Sequence, residues 1–310
     1  MVVRHEEFRR GKADNVRTVS RSQAGPGSRP GGRINPADHV NRVVARSGTS
    51  FLWGMRALSA ERRRAIYAIY AFCREVDDIA DEPGEDADKR RALAAWRQEI
   101  DRLYAGEPNW PTTRALLKPV RRYNLPQEEF LAVIEGMEID SGPAVRMQNL
   151  DDLLHYCRKV AGAVGRLSIH AFGVPRNPGY QIAETLGNAL QLTNILRDLK
   201  ADAALHRLYV PQELLSKHGV AATSLNATLS HPGFSAACAE LAGLARGYYA
   251  ETERLIAEFG WRRIRPAVLM MAVYRELLDR LEERGWTRID VAMRLTRFRK
   301  LLLAVRYGLC

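Results

Sequence analysis

The stretch AIYAIYAFCREVDDIAD, residues 65–81, is apolar on almost every side, yet it closes on three aspartates within five positions. Ile66, Ile69, Tyr70, Phe72, Cys73, Val76 and Ile79 leave no broad polar face, which marks a buried helix rather than a surface one. Its polar exceptions form a stripe. Arg74, Asp77, Asp78 and Asp81 are spaced three, four and seven apart, so a helix projects them together from one side.

More than a hundred residues later the design returns in LGNALQLTNILRDLKAD, residues 186–202. Gln191, Asn194, Arg197, Asp198 and Asp202 line one polar face, with Asn194, Asp198 and Asp202 stepping by four. Two carboxylates about 5 Å apart repel by roughly 3 kcal/mol at an effective dielectric near 20, and Asp is a poor interior helix residue. Repeating that arrangement on two otherwise buried helices calls for a compensating cation. The donors are all oxygens, with no imidazole or thiolate among them, so the metal should be hard. Mg²⁺ fits best, because it accepts one or two carboxylates and completes its octahedron with water and substrate phosphate. Arg74 and Arg197 beside the acids suggest a metal-bridged diphosphate between the two helices, with guanidinium groups on the remaining phosphate oxygens.

The rest of the chain reads as helix after helix, punctuated by Gly and Pro, and no run alternates cleanly enough for a strand. The fold class is all-α, with helices layered around a central cavity. Expected spans include 60–82, 86–104, 110–123, 126–140, 149–172, 177–202, 234–259, 262–284 and a last helix at 296–307. Residues 1–36 are basic and rich in Gly, Ser and Pro, which predicts a disordered tail ahead of a single domain at 37–310. An Arg-rich, acid-poor leader is also how some transit peptides look.

A chain of 310 residues, 46% of them hydrophobic, can bury a sizeable core. Its formal charge of +11 suits nucleic acid, anionic lipid or a diphosphate equally, but no nucleic-acid-binding signature accompanies it, so no nucleic-acid partner is expected. The four cysteines lack metal-ligand spacing, as do His155, His170, His206 and His218, and two of the cysteines sit in apolar helical patterns. Reduced thiols in a cytoplasmic protein are the expectation. No apolar run approaches the length of a membrane span.

These residues resemble the family of trans-isoprenoid diphosphate synthases that join two prenyl diphosphates head to head: squalene, dehydrosqualene and phytoene synthases. SFLWGMRALSAERRRAIYAIYAFCREVDDIAD (50–81) is similar to the first signature, NALQLTNILRDLKADAALHRLYVP (188–211) to the second, and YCRKVAGAVGRL (156–167) to the segment between them. AFCREVDDIAD and RLYVP look most like the bacterial hopanoid branch, which makes presqualene diphosphate.

The resemblance implies an isoprenoid-synthase fold and Mg²⁺ ligation by Asp77 and Asp81 on one wall and by Asn194, Asp198 and Asp202 on the other, with Asp78 in support. It puts Arg74, Gln191 and Arg197 on diphosphate, Ser50 and Phe51 over a substrate headgroup, and Tyr70, Tyr156 and Tyr274 in the cavity. Arg288 and Arg294 are both candidates for a C-terminal phosphate contact.

The implied reaction joins two farnesyl diphosphates, with several Mg²⁺ ions and without NADPH. A phytoene synthase or a complete, NADPH-using squalene synthase is the enzyme alternative, and a non-catalytic scaffold the alternative of another class. A lipid substrate adds the expectation of peripheral contact with the inner membrane face and with other enzymes of squalene synthesis.

Overall fold

Asn35 caps the first helix by accepting from the Ala37 backbone N–H at 3.0 Å, and Pro36 takes the first helical position, where a missing donor costs nothing. The computed structural model describes residues 35–47, 55, 58–221, 224–260, 262–296, 298, 299, 302, 303 and 306. Ser50, Phe51 and the basic segment 1–34 lie outside the described residues.

Helix α1 (Pro36–Arg46) is followed by α2 (Ala60–Asp81), α3 (Asp86–Ala105), α4 (Pro111–Tyr123) and α5 (Gln127–Asp140). Helix α6 (Leu150–Cys157) runs through a π-helical segment (Arg158–Gly162) into α7 (Ala163–Phe172), where the sequence predicts one uninterrupted helix. Then come α8 (Arg176–Ala203), α9 (Gln212–Lys217), α10 (Leu225–Ser230), α11 (Pro232–Phe259) and α12 (Arg265–Arg284). Helix α10 escapes sequence periodicity because it is barely one turn and a half. Of the expected final helix, residues 298, 299, 302, 303 and 306 are described, and they are helical.

The expectation of no strand is corrected in one place. Val145–Arg146 (β1) pairs in parallel with Arg207–Leu208 (β2), a two-residue ladder too short for alternation to register in the sequence.

Helix α2 is buried as its pattern predicts. Phe72 is fully enclosed and meets Trp96 of α3 and Phe130 of α5 edge-on, at centroid distances of 5.4 and 5.1 Å. That packing fixes the rotation of α2, so the stripe carrying Asp77 turns inward, away from α3.

Helices α7 and α8 pack antiparallel through small residues. A Cβ on Gly187 would lie 3.0 Å from the Gly162 backbone nitrogen, and one on Gly165 would lie 3.0 Å from the Ala183 carbonyl oxygen. At the far end a Cβ on Gly179 would meet Ile169 Cγ2 at 2.6 Å. Only glycine allows this approach, and it sets one wall of the central cavity.

No helix among the described residues is long and apolar enough to cross a membrane. Cys73, Cys157 and Cys238 are buried free thiols.

Candidate functional site

The two acid-bearing helices meet at one cleft, which α2 lines through Asp77 and α8 through Asn194, Asp198 and Asp202, while Asp81 is not among its lining residues. About 540 Å³ of empty space is bounded by Asp77 of α2, by Gln191, Asn194, Asp198 and Asp202 of α8, and by Tyr156 of α6. Both helices bring their acids in at their C-terminal halves, and α2 carries no basic residue in its last turn. The negative ends of two helix macrodipoles therefore add to the carboxylates, and the cleft attracts cations.

Arginines already neutralise part of this charge, which corrects the expectation that the stripes stand uncompensated. Arg74 reaches Asp77 at 3.3 Å and Asp78 at 2.5 Å. Burial works against its charge, but Asp77, Asp78, Tyr70 and Asp81 together hold the guanidinium above its ordinary range. Arg197 grips Asp198 through Nε at 2.8 Å and Nη2 at 2.5 Å. Burial again opposes the cation, and Asp198 and Tyr274 together hold it above its ordinary range. Asp81 accepts from Arg207 Nη1 at 2.8 Å. Asp77 is buried whereas Asp78 stays 42% exposed, so the adjacent acids diverge: Asp77 lines the cleft and Asp78 sits outside it beside Arg74.

Three further polar residues belong to this wall and were not singled out from the sequence. Asp140, at the end of α5, is buried and accepts from Tyr156 Oη at 2.9 Å and from Tyr209 Oη at 2.5 Å. The two tyrosine rings stack at 4.9 Å. Arg207 donates to the Ala80 and Asp140 carbonyls, tying α2, α5 and β2 together. Arg207 and Tyr209 lie in the RLYVP segment, which carries a signal, whereas Asp140 sits at the end of an ordinary amphipathic pattern and carries none.

Below the acids the lining turns apolar. A pocket of about 820 Å³ is bounded by α2, α7, α8 and α12, and Cys73 and Val164 line both it and the acidic cleft. Tyr70 lines the apolar part. Tyr274 of α12 is buried beside Arg197 and Asn194, and burial holds its phenol above the ordinary value against the pull of Arg197. Burial likewise pushes the Cys73 thiol up to about 12. Arg288 and Arg294 are exposed and line neither space.

The donor set can take a hard cation. Asn194 lines the cleft, and its buried Oδ1 has no hydrogen-bond partner among the described residues, so a carbonyl oxygen at this wall is left unsatisfied. Among the described residues no three Asp, Glu, His or Cys side chains converge closely enough to cage a metal alone.

The helical shell around this cleft and apolar pocket is an isoprenoid-synthase fold, shared with solved squalene and dehydrosqualene synthases. The squalene/phytoene synthase family model matches residues 44–299, and the chain belongs to that family. Head-to-head prenyl condensation is the chemistry of the family, and the chain is an enzyme of the prenyltransferase class. It is 42% identical to a presqualene diphosphate synthase of Zymomonas mobilis over 81% of this chain and 86% of that one. Against a presqualene diphosphate synthase of Sinorhizobium fredii identity is 39%, covering 89% and 99%. The crystal structure of squalene synthase HpnC from Alicyclobacillus acidocaldarius superposes with a TM-score of 0.73 at 30% identity, covering 81% of this chain and 94% of that one.

Proposed function

We propose that the chain condenses two farnesyl diphosphates into presqualene diphosphate, releasing pyrophosphate and a proton, as part of squalene and hopanoid synthesis. The observation that carries the reading is the junction at Cys73 and Val164, where an acidic cleft gives way to an apolar pocket. A prenyl diphosphate has that same division between charged head and apolar tail. The names of the two similar bacterial synthases support the choice of product.

Asp77 and Asp81 on α2, and Asn194, Asp198 and Asp202 on α8, are the proposed Mg²⁺ ligands, with Asp78 supporting through Arg74. Bound Mg²⁺ supplies stabilisation of the charge that develops on the departing pyrophosphate. Arg74, Arg197 and Gln191 donate to phosphate oxygens that the metal leaves free. The C1–O bond of one substrate breaks, and the apolar pocket keeps water from the resulting allylic cation. The C2=C3 bond of the second substrate then attacks C1, and loss of a proton closes the cyclopropane. Tyr70 lines the pocket next to the junction and orients this step. A neutral phenol is a poor base beside pyrophosphate, so the leaving group accepts the proton.

Product analysis by mass spectrometry tests the reading. Purified protein with farnesyl diphosphate and Mg²⁺ should yield presqualene diphosphate with or without NADPH. Squalene appearing only with NADPH would replace this reading with a complete squalene synthase. Because the substrates are lipids, contact with the inner membrane face belongs to the same proposal, and failure to float with anionic vesicles would remove it.

A further inference from the structure

Three helices run from the acidic cleft into the apolar pocket, and their registers fix where the pocket stops. Helix α2 contributes Cys73 at the junction and Ile66 at the far end. Helix α7 runs from Val164 at the junction to Phe172, and α8 from Leu190 to Ile182. At 1.5 Å per residue each span is about 10–12 Å deep.

The far ends converge. Ile169 would clash with a Cβ on Gly179 at 2.6 Å, which joins the end of α7 to the start of α8. A Cβ on Gly173 would lie 3.0 Å from Arg62 Nη2, which joins it to the first turn of α2. Phe172 is the last residue of α7, 5% exposed, and the one aromatic side chain that lines this end of the pocket among the described residues. Gly173, in the left-handed conformation at φ 68°, stops the helix immediately behind it.

We propose that Phe172 is the floor that limits the prenyl tail to three isoprene units. The inference rests on the condensation reading above. An isoprene unit adds four main-chain carbons, an advance of about 5 Å for bonds near 1.5 Å. With the first unit at the junction, the depth beyond it holds two more. A fourth would have to occupy the space of the Phe172 ring.

The same register places Ser168 four residues, about 6 Å, nearer the cleft on the same lining face. An aromatic side chain there raises the floor by about one unit. The test is a competition between geranyl, farnesyl and geranylgeranyl diphosphates with Mg²⁺, with product lengths read by mass spectrometry. Wild-type protein should prefer farnesyl over geranylgeranyl diphosphate by at least ~20-fold in kcat/KM, and Phe172→Ala should cut that preference about tenfold, in the range one pocket side chain commands. Ser168→Phe should shift preference to geranyl diphosphate. Phe172→Leu, which keeps most of the volume, should fall between, and it carries the test with Ser168→Phe if the alanine variant does not fold. Folded Phe172 and Ser168 variants that retain wild-type discrimination would place the floor elsewhere. Wild-type protein that condenses none of the three would instead overturn the condensation reading.

Discussion

Arg207 donates to Asp81 at 2.8 Å across 126 positions of sequence, and its remaining nitrogens hold the Ala80 and Asp140 carbonyls at 2.9 and 3.0 Å. One buried guanidinium thus anchors the acidic end of α2 to the wall that carries Asp140. Lysine keeps the charge but cannot present a planar fork to three acceptors. Arg207→Lys should lose about 2–4 kcal/mol in urea unfolding and slow turnover through a loosened Asp81. Wild-type stability in that variant would mean that the fork is dispensable.

Asp140 accepts from two tyrosine hydroxyls, a role an amide can fill only in part. Asp140→Asn should cost about 1–3 kcal/mol, while Tyr209→Phe, which leaves the carboxylate with Tyr156, should cost less. Thermal melts of the two variants side by side give the order. The reverse order would show that Tyr209, and not Asp140, is the centre of the network.

Glu129 sits at the hinge of the π-helical segment. It accepts from Arg158 at 2.8 Å and Arg166 at 3.2 Å, so one buried carboxylate clamps both flanks of the turn that carries Val160 and Ala161 into the two cavities. Glu129→Gln keeps the volume and removes the charge. The loss should be about 2–3 kcal/mol, below the fully buried range because Arg158 and Arg166 are still 25% and 22% exposed. Equilibrium unfolding measures it, and a change within 0.5 kcal/mol, about the scatter of ordinary surface substitutions, would rule out the clamp.

Stability should fall as pH rises above 9. The Cys73 thiol is pushed from 9.0 to about 12 by burial, so between those values the unfolded chain has released a proton that the folded chain retains. Its stabilising contribution is complete below pH 9 and disappears toward pH 12, at up to about 1.4 kcal/mol per pH unit. Cys73→Ala should flatten the slope between pH 9 and 10 relative to wild type, whatever it does to the baseline. Parallel slopes would show that Cys73 titrates normally.

Both acidic helices were legible because burial and function disagree on them: a helix apolar all round has no structural use for stacked aspartates. The packing role of Phe72 followed from the same pattern, since it lies off the polar stripe. The arginine pairing of Asp78, Asp81 and Asp198 was not legible as compensation. For Asp81 the partner, Arg207, comes from a two-residue strand that no periodicity announces. Asp140 was invisible because its partners, Tyr156 and Tyr209, are distant in sequence. The pocket floor was hidden for a related reason, since depth depends on the α7–α8 register and that register rests on Gly187 meeting Gly162, Gly165 meeting Ala183 and Gly179 meeting Ile169.

The central claim is that α2 and α8 together hold a metal-bridged diphosphate over the apolar pocket. Its most direct test is the thermal stabilisation of the protein by a non-hydrolysable thiolo analogue of farnesyl diphosphate, with and without Mg²⁺, in wild type, Asp77→Asn and Asp198→Asn. A ligand that binds only the folded state raises the melting temperature by an amount that grows with the logarithm of its concentration over Kd. Stabilisation should require Mg²⁺ and should be lost in both variants. Equal stabilisation without the metal, or an undiminished shift in Asp77→Asn, would contradict the claim.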